Sequence, residues 1–275
     1  MSGRSPLGII AGAGQLPAQL LAACHAEHRP VFVVLLDEAA DDSAFHAVPH
    51  ARLRLGAVGE AVARLREAGA HELVLAGGIK RPALSSLMPD ALGAKLLARL
   101  STKIFAGDDA LLATVVGFLE EQGFRVLGAD AVLSELLAPA GQLGKHAPDA
   151  QAEADIALAC RTAHTLGALD IGQAVVAAEG RVLAVEAAEG TALLLKRCEA
   201  FRGEAARGVL VKMKKPSQER RVDLPSIGPE TIAQAHAAGL AGVAVQAAQS
   251  LILGREETIA AADRLGLFLL GVPHG

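Results

Sequence analysis

The richest concentration of reactive side chains runs from Val209 to Pro229, VLVKMKKPSQERRVDLPSIGP. A short apolar run emerges into five cations within ten residues, Lys212, Lys214, Lys215, Arg220 and Arg221, with Glu219 and Asp223 among them. Cations at this density can neutralise a pyrophosphate, and a carboxylate can hold a hard Mg²⁺ or Mn²⁺ and help to activate water. Phosphoanhydride hydrolysis needs that combination, because positioning and charge neutralisation lower most of its barrier. The structural alternative is a charged, solvated hairpin.

Four further places offer ligand chemistry, each with an ordinary structural explanation beside it. In GIIAGAGQLP, from Gly8 to Pro17, a strand runs into a glycine turn and a helix start, so Gly12, Gly14 and Gln15 can present backbone amides to a phosphate. As a dinucleotide fingerprint the stretch is broken by Pro17, and a ligand-free strand-to-helix turn is the alternative. GGIKRP, from Gly77 to Pro82, brings Gly78 and Lys80 to the same carboxyl edge of the predicted sheet. In Gly107 to Leu112, Asp108 and Asp109 read either as helix N-caps or as ligands for ribose hydroxyls or a metal. Near the end of a predicted strand, Glu186 can reach a metal and Thr191 can meet an anion or cap the next helix.

These residues need a scaffold, and the periodicity supplies one. Strands are predicted at Leu7–Ile10, Val31–Leu35, Leu73–Ala76 and Arg125–Leu127, alternating with helices at Pro17–His28, Val58–Ala68, Pro89–Leu100 and Asp109–Gln122. Such alternation is the mark of a parallel sheet covered by helices, and this half resembles a Rossmann-like domain. Residues 138–148 lose periodicity and concentrate Pro and Gly, which predicts a linker between an N-terminal domain (1–137) and a C-terminal domain (149–275). The second half reads as α/β with mixed strands. It has a helix from about Asp149 to Leu166, a strand pair about Glu179-Gly180 and a strand at Gly208–Met213. Further elements are Pro229–Ala238, Gly242–Gln246, Glu256–Leu265 and Leu267–Leu270.

The 275 residues suffice for two modest domains. No apolar run reaches the length that spans a bilayer, and the first residues lack a signal-peptide core, so the expected location is cytoplasmic. Three cysteines with no CxxC spacing read as free thiols. A net charge of -4 with neither Trp nor Tyr argues against nucleic acid as a partner.

Taken in order, LGIIAGAGQLP, AGGIKRP, GDDALL, DIGQAVVAAEGRVLAVEAAEGT and VLVKMKKPSQERRVDLPSIGPET resemble the two-domain UDP-2,3-diacylglucosamine pyrophosphatases of lipid A synthesis, a family distinct from the calcineurin-like enzymes. The resemblance implies Mg²⁺-dependent hydrolysis of UDP-2,3-diacylglucosamine to UMP and 2,3-diacylglucosamine 1-phosphate, with the substrate between the domains. It also implies an essential C-terminal aspartate, which falls on Asp223. Asp223 is then expected to bind Mg²⁺ (or Mn²⁺) and orient the attacking water, with Glu186 or Glu219 as a second ligand. Lys212, Lys215 and Arg220 would hold the phosphates, and the turns at Gly12–Gln15 and Gly78–Lys80 would take the nucleotide side. A diacylated substrate implies peripheral contact with the inner membrane, and a homo-oligomer is compatible with the sequence. The chain departs from the family pattern at Glu219 and Ala192, where Asp is usual, and near Ala248, where Gly is usual. The rival readings are a nucleotide-cofactor oxidoreductase and a non-catalytic nucleotide- or lipid-binding protein.

Overall fold

The computed structural model of the chain describes residues 5–36, 43–79, 87–103, 107–201, 208–216 and 218–273. It divides into two compact units, the first comprising Met1–Ser134 with Glu219–Asp223 and the second Glu135–Gln218 with Leu224–Gly275. Both are α/β.

In the first unit the order is β1 (Leu7–Ala11), α1 (Leu16–Ala26), β2 (Val31–Leu36), β3 (His50–Leu53), α2 (Val58–Glu67), β4 (Glu72–Ala76), α3 (Ala91–Ser101), α4 (Asp108–Glu121) and β5 (Arg125–Leu127). The five strands form a parallel sheet in the order β3-β2-β1-β4-β5. Val33, Val34 and Leu35 are all buried, the pattern of a parallel strand covered on both faces. Consecutive connections go one way from β1 to β2 and the other way to β4, so the switch point of the sheet lies between β1 and β4, where open α/β sheets place ligands. Strand β3 was not predicted. It is a four-residue edge strand with only Leu53 buried, too short and too polar to give a hydrophobic signal. Asp90 starts two helices at once: it accepts from Gly93 N at 2.7 Å in α3 and from Gly59 N at 2.7 Å and Glu60 N at 3.2 Å in α2.

The second unit contains β6 (Gly141–Gln142), α5 (Ala150–Ala168), β7 (Ala174–Ala178), β8 (Arg181–Val185), α6 (Gly190–Cys198), β9 (Val209–Lys212), β10 (Ser226–Ile227), α7 (Pro229–Ala237), β11 (Gly242–Gln246), β12 (Leu251–Ile252), α8 (Arg255–Leu265) and β13 (Phe268–Val272). Its main sheet runs β6-β13-β11-β9-β7-β8, with β9, β11 and β13 parallel and β6, β7 and β8 antiparallel to their neighbours. Alternate strand residues face opposite layers. Val176, Leu210, Val243 and Val245 pack with Leu194, Leu195, Ile232 and Ala262 of α6, α7 and α8. Val175, Val209, Val211 and Ala244 pack with Ala152, Ile156, Ala159 and Ala163, the stripe of α5 that recurs every three or four residues.

Asp155, fully buried on that helix, accepts from Glu179 N at 2.9 Å and Gly180 N at 2.7 Å and so ties the β7–β8 turn to α5. Part of the stretch read as a linker is structured, because Gly141 and Gln142 pair with Gly271 and Leu270 as an edge strand. Nor does the chain after β9 return as a hairpin: β10 pairs in parallel with β12 instead.

Candidate functional site

In the second unit, β9 and β11 end where β7 begins, since β7 is antiparallel to β9 and Lys212 pairs with both Ala174 and Val245. Glu186 N donates to Ala174 O and Met213 N to Gln173 O, which draws the end of β8 into the same edge. Lys212 is only 8% exposed, and its ammonium donates to Ser226 O at 3.0 Å. Lys214 N donates to the Gln246 side chain at 3.0 Å, joining the exits of β9 and β11.

Lys215 is equally buried. Its ammonium donates to Asp170 Oδ1 at 2.5 Å, and its backbone N–H donates to Gln218 Oε1 at 2.9 Å. Gln218 Nε2 donates to Gln173 Oε1 at 3.2 Å, Gln173 N donates to Glu186 Oε2 at 3.0 Å, and Thr191 Oγ1 donates to Glu186 Oε1 at 2.6 Å. A continuous polar chain therefore runs from Asp170 to Thr191 across the carboxyl edge of β9. A lysine taken this far out of water requires an anionic partner, and Asp170 supplies it. The turn before β7 can press against Glu186 only because residue 172 is glycine, as a Cβ there would lie 2.1 Å from Glu186 O.

Lys212, Lys215, Glu186 and Thr191 of this cluster are among the residues expected from the sequence, whereas Asp170, Gln173 and Gln218 are not. Asp170 and Gln173 stand in the DIGQ stretch, which carried no chemical pattern of its own. A non-glycine residue at positive φ, such as Asp170 at 54°, leaves no clear mark in a sequence. Thr191 does not cap α6. The N-cap of α6 is Glu189, and the Thr191 hydroxyl bonds Glu186.

In the first unit the two glycine turns at the switch point lock each other. Gly12 N donates to Ala76 O at 2.8 Å, Ala13 N to Gly78 O at 2.9 Å, and Gly78 N to Ala13 O at 2.8 Å. Gly77 sits at φ 90°, where a Cβ would lie 2.5 Å from Ala13 O. The amides of Gly12 and Gly78 are thus engaged within the protein, whereas Gly14 and Gln15 are exposed and a Cβ on Gly14 would meet nothing within 4 Å. Lys80 lies outside the described residues. Asp108 and Asp109 occupy the first turn of α4, where their charge favours the helix dipole, but neither caps it; Gly107 holds that position.

Residues Glu219–Asp223 belong by their contacts to the first unit. Both Glu219 oxygens accept from Arg221, Oε1 from Nε at 2.9 Å and Oε2 from Nη2 at 2.9 Å. This hydrogen-bonded carboxylate, outweighing partial burial, pushes the Arg221 guanidinium further above its ordinary range. Arg221 Nη1 also reaches Glu120 Oε1 at 2.6 Å, and Arg220 gives Nη2 at 2.8 Å and Nε at 3.1 Å to Asp130 Oδ2. Asp223 N donates to Glu219 O at 3.0 Å, and its carboxylate stands half-buried at the end of this short segment.

Among the described residues no three His, Cys, Asp or Glu side chains converge as metal ligands. Of the three expected ligands, Glu186 holds Gln173 and Thr191, and Glu219 holds Arg221.

The model of the LpxI N-terminal domain matches residues 6–136 and that of the LpxI C-terminal domain residues 139–270. The chain belongs to the LpxI family. The UDP-2,3-diacylglucosamine pyrophosphatase LpxI of Caulobacter vibrioides is 47% identical over 272 residues, covering 97% of each chain. In this LpxI-family chain the two matched stretches meet just before β6, close to where the two units part at Ser134.

Proposed function

We propose that the chain hydrolyses the pyrophosphate of UDP-2,3-diacylglucosamine to UMP and 2,3-diacylglucosamine 1-phosphate in lipid A synthesis, with Mg²⁺, in the cytoplasm. The observation that carries this reading is the 47% identity over 97% of both chains to a pyrophosphatase named for that substrate. The chemistry of the β9 edge supports it: Lys212 and Lys215, both buried there, are cations of the kind that balance the charge of a diphosphate.

In this reading Asp223 orients the attacking water. Water adds to one phosphorus, the bridging P–O bond breaks, and Lys212 and Lys215 stabilise the negative charge that gathers on the leaving oxygen. Asp223 would hold Mg²⁺, which would supply charge neutralisation for the phosphate oxygens. Gly14 and Gln15 at the start of α1, with Asp108 on α4, serve the nucleotide side. Arg220, which gives two donors to Asp130, is assigned to holding its own segment.

None of the described helices is long and apolar enough to cross a membrane. A diacylated substrate calls for a peripheral encounter with the membrane. Leu169 and Ile171, 68% and 42% exposed on either side of Asp170, offer acyl chains an apolar contact beside Lys215. Purified protein is expected to release UMP from UDP-2,3-diacylglucosamine with Mg²⁺ and to stop in EDTA. Absence of UMP would overturn the reaction, and release undiminished by EDTA would overturn the role of the metal.

A further inference from the structure

Asp223 is carried on a segment of five residues, and the structure shows what holds that segment. At one end Arg220 donates twice to Asp130 Oδ2, in the helical turn Ala129–Ala131 that follows β5. Next along the chain Arg221 reaches Glu120, in the last turn of α4, while clamping Glu219 of its own segment. Between them and Asp223, Val222 packs on the core cluster that includes Val126 of β5 and Leu119 of α4. The turn is closed by Val222 N and Asp223 N, which both donate to Glu219 O. The ion pairs to Asp130 and Glu120 and the packing of Val222 hold the segment beside β5, the edge strand of the parallel sheet.

The two pairs differ in how far their carboxylates are withdrawn from water. Arg221 and Glu120 are each about two-fifths exposed, so solvent weakens their attraction. Asp130 is only 15% exposed, against 43% for Arg220, and its Oδ2 accepts from both Nε and Nη2 of Arg220. Asp130 itself lies in no glycine turn, lysine cluster or carboxylate set considered for substrate or metal.

We propose that Asp130 is a positioning residue for the hydrolysis: through Arg220 it holds the Glu219–Asp223 segment so that the Asp223 carboxylate keeps its place. The proposal rests on the assignment of Asp223 to the reaction. A carboxylate that must orient water loses rate steeply when displaced, whereas substrate affinity set elsewhere changes little.

The test uses the full chain, with D130N, R220A and the reversed pair D130R/R220D. Turnover of UDP-2,3-diacylglucosamine is measured with Mg²⁺, alongside hydrogen–deuterium exchange over residues 219–224 and the thermal midpoint. D130N and R220A are expected to lower kcat about 100-fold with KM within about twofold, to speed exchange at Val222 and Asp223, and to retain cooperative melting. The reversed pair is expected to recover about tenfold or more of the lost kcat, which an arginine bound to phosphate would not allow. The proposal is overturned if D130N keeps its kcat, if only KM moves, or if the reversed pair is no better than either single variant. If the wild-type chain releases no UMP, the functional assignment fails by itself. The exchange data then still decide whether Asp130 holds the segment, and unchanged exchange in D130N counts against it.

Discussion

The Lys215 ammonium and Asp170 Oδ1 lie 2.5 Å apart, and both side chains are largely withdrawn from water. Each of these two largely buried charges thus has an opposite charge beside it. Gln218 and Gln173 extend the restraint to Glu186, so the exit of β9 is braced on the turn before β7.

Removing one partner of this pair leaves the other charged and buried. Asp170→Ala is expected to lower stability by about 3–5 kcal/mol, as a broken buried pair does, and the double variant Asp170→Ala/Lys215→Met is expected to regain part of that loss. Urea unfolding of the four proteins reads the cycle. A double variant less stable than Asp170→Ala alone contradicts the assignment of Lys215 as the stranded charge. In turnover, Lys215→Met is expected to lose about 10²-fold in kcat or more.

Asp90 makes the first unit sensitive to acid. Burial pushes its carboxyl up, but the N–H groups of Gly93, Glu60 and Gly59 together outweigh burial, and its pKa ends below the ordinary 3.8. The folded chain therefore binds this proton less readily than the unfolded chain. The contribution is complete above the unfolded value and is lost as pH falls through the lower, folded value. Asp90→Ala is expected to cost about 1–2 kcal/mol near neutral pH. The deficit should shrink below about pH 4, near the unfolded pKa; a deficit constant down to pH 2 would contradict the account.

The cysteines should be slow to react. Burial raises the Cys160 thiol to about 11 against the weaker pull of Arg161, and burial likewise raises Cys24 and Cys198. At pH 8 only about one Cys160 in a thousand is then thiolate. A thiol reagent such as DTNB is expected to label the native protein slowly and all three cysteines promptly after unfolding. Fast labelling of native Cys160 would show that its surroundings are not as described.

The sequence made the scaffold legible where burial was continuous and left it hidden where pairing was long-range. β1, β2, β4, β9 and β11 are apolar runs that no other element would explain, while β3 and β6 are edge strands with little buried surface. Lys212 and Lys215 stood out as cations after a strand. Their restraints did not, since Lys215 finds Asp170 at a separation of 45 residues. The same holds for Arg220, which meets Asp130 across 90 residues, and Arg221, which meets Glu120 across 101. Those contacts place Glu219–Asp223 in the first unit although the chain on either side belongs to the second. Composition gives no hint of that.

In the proposed reaction one carboxylate, Asp223, carries the hydrolysis. Single-turnover release of UMP from UDP-2,3-diacylglucosamine by Asp223→Ala, beside the wild-type chain at equal thermal midpoint, tests it directly. The account predicts a rate lower by about 10³-fold or more with cooperative unfolding retained. An Asp223→Ala protein that releases UMP within a few-fold of the wild-type rate would contradict it.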